Sequence, residues 1–170
     1  MSAPEITVRP LPVVRLAALR VAVREQAAVG EVVGPLFARV EHALEVAGLT
    51  PQLPIAAYAM DATGLQVTVG FTVDGEVPDG LETVDLPAAE ESLCLVHVGT
   101  MEGIGASWGA LHEAVAARGR EPVWPSREVY VRSEGTDQRD WLTELQQPVA
   151  RPKVDGAGRS PRPDRTQEAS

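Results

Sequence analysis

Glu128 and Tyr130 stand two residues apart in the stretch W-P-S-R-E-V-Y-V at residues 124–131. The stretch reads as a β-strand, so Val129 and Val131 form one row and Glu128, Tyr130 and Arg132 the other. The valine row suits a core. The other row puts a carboxylate beside a phenol. A carboxylate on a sheet face costs free energy unless it is wet, paired or facing a cation. Two chemistries follow. A desolvated Glu128 attracts a positively charged ligand. Alternatively, its pKa rises among apolar walls and it serves as a general base toward water. Tyr130 would then hydrogen-bond an oxygen on which negative charge develops. A solvated sheet face, on which an exposed Glu is ordinary, is the plainer alternative for this stretch taken alone.

Other motifs carry less. Gly105-Ala-Ser107-Trp-Gly109 matches the G-x-S-x-G nucleophile elbow. That arrangement needs an acid and then a histidine downstream, and the only later histidine is His112, five residues on in the same predicted helix. Ser107 reads as a helix-start residue instead. Gly103-x-Gly105 lacks the third glycine of a phosphate loop, and Glu102 would repel phosphate. His42, His97 and His112 show no metal-ligand spacing, and Cys94 is the only cysteine, so neither metal nor cofactor is expected. Trp108, Tyr58, Met101 and Trp141 are aromatic or soft groups that either pack or line a site.

Elements must hold these groups in place. Residues 13–24, rich in Val, Leu and Ala, predict a first strand with residues 6–9 leading into it. Val33, Leu36, Phe37, Val40, Leu44 and Ala47 follow a 3.6-residue period, predicting an amphipathic helix over 30–47 with Pro35 in its first turn and Gly48 after its end. Strands are expected at 55–60, 65–73, 81–86 and 92–98. A second helix covers 102–118, with Ile104, Trp108, Leu111 and Val115 on its apolar face, and a last strand covers 141–149. Residues 150–170 are rich in Pro, Gly, Ser and charge, and are expected to be disordered.

A shift of 71 residues superimposes Phe37 on Trp108, Val40 on Leu111, Leu44 on Val115, Gly48 on Gly119, Pro51 on Pro122 and Pro54 on Pro125. The fold class expected is therefore α+β. One domain over residues 1–149 consists of tandem pseudo-twofold β-α-β-β halves (about 5–74 and 81–149). Both helices lie on one side of the sheets, and a ligand groove lies between the halves. The same shift sets Glu128 on Ala57 and Tyr130 on Ala59, so Tyr58 takes the parity of Val129 unless the strand is bulged.

Charge narrows the partners. The chain carries 15 Lys and Arg against 24 Asp and Glu, a net charge of −9, and residues 1–150 alone carry −11. Direct nucleic-acid binding needs a basic footprint and is not expected. The N-terminus has no secretory signal pattern, and the apolar run at 13–23 is interrupted by Arg15 and Arg20. A soluble, cytoplasmic protein is expected, with oligomeric state open.

Several motifs in order complete the reading: V-G-F-T-V at 69–73, L-P-A at 86–88, a strand ending H-V-G at 97–99, Trp108 in the following helix, P-S-R-E-V-Y at 125–130 and T-E-L-x-x-P-V at 143–149. Over residues 5–149 the chain resembles the GyrI-like domain, the effector-binding domain of AraC- and MerR-type multidrug-responsive regulators. The resemblance implies a groove for varied hydrophobic and often cationic molecules. It maps the family's cation-facing Glu onto Glu128, with Tyr130 beside it, and the Glu of T-E-L onto Glu144. Those regulators carry a helix-turn-helix ahead of this domain. Here the domain is expected to start within the first ten residues, which implies a stand-alone form. The leading expectation is a binding protein for small amphipathic or cationic molecules, acting in sensing or sequestration. Its ligand-binding residues would be Glu128, Tyr130, Trp108, Tyr58, Met101, Trp141 and Glu144. One alternative is a hydrolase of strained, cyclopropane-bearing natural products, with Glu128 and Tyr130 catalytic. Another is a protein-interaction module of the gyrase-inhibitor type.

Overall fold

A computed structural model describes residues 4–24, 29–135 and 137–152. The expectation of disorder in the tail falls almost wholly on residues 153–170, outside the described residues. Among the described residues, eight strands and two helices follow one another as β1 (Thr7–Leu11), β2 (Val14–Val23), α1 (Val29–Val46), β3 (Pro54–Asp61), β4 (Gly64–Phe71), β5 (Glu82–Leu86), β6 (Ala89–Val98), α2 (Ile104–Ala117), β7 (Ser126–Arg132) and β8 (Leu142–Pro148). A 3-10 turn at Met101–Gly103 leads into α2, and another at Gln138–Asp140 precedes β8.

The strands form one antiparallel sheet in the order β1-β6-β8-β7-β3-β4-β2-β5. Two residues, Pro12 and Val13, join β1 to β2, six places away in that order; Pro87 and Ala88 join β5 to β6 across the same number of places. Two residues bridge about 11 Å between flanking Cα atoms, whereas six strand spacings of a flat sheet span about 29 Å. The sheet therefore has to curl until its edges approach each other. The inward face buries Leu16, Ala18, Ile55, Ala57, Leu86 and Val129 together, without a helix.

Both helices cover the opposite face. Leu36, Val40 and Leu44 of α1 pack on Ala17, Val23, Val67, Val69 and Phe71. Leu111 and Val115 of α2 pack on Leu93, Leu95 and Leu145. The row Leu65, Val67, Val69 and Phe71 thus lies under α1.

Three local expectations are corrected. Residues 6–9 do not lead into the first strand: Thr7–Leu11 is a separate strand at the far edge, paired with β6, because Pro12 interrupts the ladder. Pro35 is not in the first turn of α1 but inside the helix, which begins at Val29. Val131 is 59% exposed rather than part of the core, because the β7–β8 register shifts between Tyr130 and Arg132 and turns the strand end outward.

Candidate functional site

β7 and β3 are neighbours at the centre of the sheet, with Ala56 opposite Glu128 and Tyr58 opposite Ser126. Residues opposite each other share a face, so Tyr58 projects on the side of Glu128 and Tyr130. The parity suggested by the 71-residue shift is thus corrected: pairing of β3 with β7, not the helix repeat, decides where Tyr58 points.

Glu128 is 5% exposed. Its Oε1 accepts hydrogen bonds from the hydroxyls of Tyr58 at 2.7 Å and Tyr130 at 2.5 Å. Its Oε2 accepts from the Trp108 indole Nε1 at 2.7 Å. All three donors are neutral, and among the described residues no Lys, Arg or His pairs with this carboxylate. Burial, followed by the negative charge of Glu128, pushes the Tyr58 phenol well above its usual pKa. The same two causes, with Tyr58 adding to them, raise Tyr130. Both phenols therefore stay protonated and act as donors.

Aromatic packing fixes the cluster. Phe37 meets Tyr130 edge to face at 5.3 Å and Phe71 at 5.5 Å. Around Glu128 opens a groove of roughly 1670 Å³ between α1, α2 and the central strands. Phe37, Tyr58, Met101, Trp108, Tyr130 and Trp141 contribute to its walls. Met101 is held by its backbone N–H on Gln138 Oε1 at 2.8 Å, and Trp141 donates its indole N–H to the Glu134 carbonyl at 3.1 Å. Sequence reasoning left Phe37 as a core residue, although its superposition on Trp108 was the available signal that both helices present a ring to the same centre.

Glu144 is not brought to this site. It lies opposite Val129 on the inward face, ion-paired with Arg9 and bonded to Gln146 Nε2 at 2.6 Å. Ser107 does find a histidine, but upstream. His97 Nε2 donates to the Thr100 carbonyl at 2.8 Å, which leaves Nδ1 to accept from the Ser107 hydroxyl at 2.7 Å. The pair ties the start of α2 to the end of β6, and neither residue lines the groove. Among the described residues no cluster of His, Cys, Asp or Glu could hold a metal ion, and no helix is long and apolar enough to cross a membrane.

A family model for the GyrI-like small molecule binding domain matches residues 4–150. The chain belongs to the GyrI-like family. Among solved structures it is similar to the EcmrR C-terminal domain, with TM-score 0.69 and 18% identity over 88% of this chain and 99% of that one. SAV2435, solved bound to tetraphenylphosphonium, gives 0.67 and 13% over 86% and 94%. A hydrolase from Listeria innocua gives 0.55 and 12% over 87% and 94%. At these identities the likeness shows a shared fold. No curated protein matches the chain. This GyrI-like domain therefore has the curled antiparallel sheet and two helices of its structural neighbours.

Proposed function

We propose that this GyrI-like domain binds small cationic molecules with aromatic or aliphatic bulk, and that Glu128 meets the charge. The observation that carries the reading is a buried carboxylate, open to a groove, with three neutral donors and, among the described residues, no cation paired with it. Attraction between unit charges 4 Å apart is about 4 kcal/mol at an effective dielectric of 20 and about 1 kcal/mol in water. Cation–π contacts with Trp108, Tyr58 or Tyr130 would each add about 0.5–2 kcal/mol. Tetraphenylphosphonium, the ligand of the SAV2435 structure, is a fitting probe. On this reading the domain spans about 5–149 as two halves related by a pseudo-twofold axis between β3 and β7. What supports it is the strand order, which from its two ends runs β1-β6-β8-β7 and β5-β2-β4-β3. Exchanging the halves exchanges the two lists. Met101 and Trp141 belong to the ligand walls, and the domain works in the cytoplasm, in sensing or sequestration.

Titration of the pure domain with tetraphenylphosphonium and with a neutral triphenyl analogue tests the reading. Glu128→Gln should weaken the cation about 10- to 100-fold, equivalent to roughly 1.4–2.8 kcal/mol, and change the neutral ligand little. Equal loss for both would remove Glu128 from charge recognition. The hydrolase alternative is less well supported, because both Glu128 oxygens already accept hydrogen bonds from Tyr58, Tyr130 and Trp108, and a base would have to exchange one of these for water. Turnover of a cyclopropane-bearing alkylator by wild type, absent in Glu128→Gln, would restore that alternative. An interaction module would call for a collapsed groove, and the open one favours a small ligand.

A further inference from the structure

Arg127 precedes Glu128 and projects to the opposite, inward face of β7, where it lies opposite Ala57 on β3 and Gln146 on β8. It is 1% exposed. Its guanidinium donates to the Pro87 carbonyl, and its Nε is buried without an acceptor. Among the described residues no carboxylate pairs with it. A guanidinium offers five N–H donors, and a buried cation without a counter-ion and with a donor left unsatisfied costs free energy.

The same side chain lines a second cavity of roughly 100 Å³, which shares only Trp124 with the lining of the groove and whose walls include Pro87, Ala89, Val123, Pro125 and Val149. Glu90 also borders the cavity but is ion-paired with the exposed Arg151. We propose that this cavity is a site for a small carboxylate anion, held by the Arg127 guanidinium between apolar walls. The planar fork of a guanidinium matches a carboxylate through two parallel hydrogen bonds. The walls suit a short alkyl group. A dianion such as phosphate is poorly provided for: among the described residues Arg127 is the only cationic side chain lining the cavity, and Pro87, Pro125 and Pro148 bring no N–H. The site is independent of the groove reading, since Arg127 and Glu128 face opposite sides of the sheet.

Acetate is the probe, titrated into the full chain with total sodium carboxylate held constant by gluconate, which is too large for the cavity. The readout is the Arg127 Nε–H resonance, identified by its loss in Arg127→Lys. We expect a saturable downfield shift with acetate, and acetate-dependent thermal stabilisation weakened at least about tenfold in apparent affinity in Arg127→Met. Absence of a saturable shift overturns the proposal. So does thermal stabilisation by acetate that persists in Arg127→Met. A free-state resonance moved upfield by Glu90→Gln also overturns it, because Glu90 would then already fill the place of the anion. If Arg127→Met does not fold, the wild-type titration decides alone.

Discussion

At the scale of single residues, the site rests on a carboxylate whose hydrogen-bond partners come from three elements: Tyr58 from β3, Trp108 from α2 and Tyr130 from its own strand β7. Tyr58 and Tyr130 are the chain's only tyrosines, so the tyrosine signal of the whole protein reports on this one cluster. Both phenols are raised above their ordinary value near 10 by burial and by the charge of Glu128. The folded state thus keeps protons that the unfolded state releases. The resulting stability is fully present below about pH 10 and is lost as pH rises beyond it. In an alkaline titration, phenolate absorbance should stay flat through pH 10 and appear only together with the loss of circular dichroism. Ionisation near pH 10 with native circular dichroism would mean that the phenols are not buried donors. A second expectation concerns Tyr130→Phe, which removes one donor from a buried carboxylate. It should lower stability by about 1–3 kcal/mol in urea unfolding. A loss near zero would mean that water reaches Glu128 in the folded protein.

At the scale of elements, the close approach of β2 and β4 is the tightest constraint. Gly70 lies opposite Ala18, and a Cβ on it would come 2.4 Å from the Ala17 carbonyl oxygen and 2.7 Å from the Ala18 Cβ. Both obstacles are backbone or a methyl fixed to it, so neither can swing aside. Gly70→Ala should cost about 1–3 kcal/mol, as overpacking does, with a lower urea midpoint and an unchanged slope. An unchanged midpoint would show that the two strands separate freely. The helices illustrate a different rule. Their apolar rows are periodic and were readable in the sequence, yet their role as groove walls depends on which sheet face they cover. Tyr58 and Tyr130 lie 72 residues apart, one more than the shift of 71 that superimposes the helices. One residue is enough to reverse the face of every side chain in a strand.

At the scale of the whole molecule, the surplus of acidic groups and the buried Glu128 act over different distances. The net charge of −9 draws cations from solution and is screened over about 10 Å at 0.1 M salt. Glu128, inside the groove, is screened much less. Stopped-flow binding of a cationic ligand should therefore show an association rate that falls with ionic strength, while the dissociation rate changes little. A dissociation rate that rises as steeply with salt would place the charge contact in open water.

The sequence by itself determined most of the elements, though not β1 as a strand of its own, together with the internal repeat, the GyrI-like resemblance and the placing of Glu128 and Tyr130 on one strand face. Those properties rest on local periodicity, on turn residues, and on motifs kept within one strand or helix. Tertiary structure alone decided that Tyr58 and Trp108 reach Glu128, that Phe37 joins the ring cluster, and that Glu144 and Arg127 turn to the inward face. The physical reason is that each of these placements depends on strand pairing and on the curl of the sheet. Residues such as Tyr58 and Glu128 are 70 positions apart, and no periodicity within either strand specifies the register in which they meet.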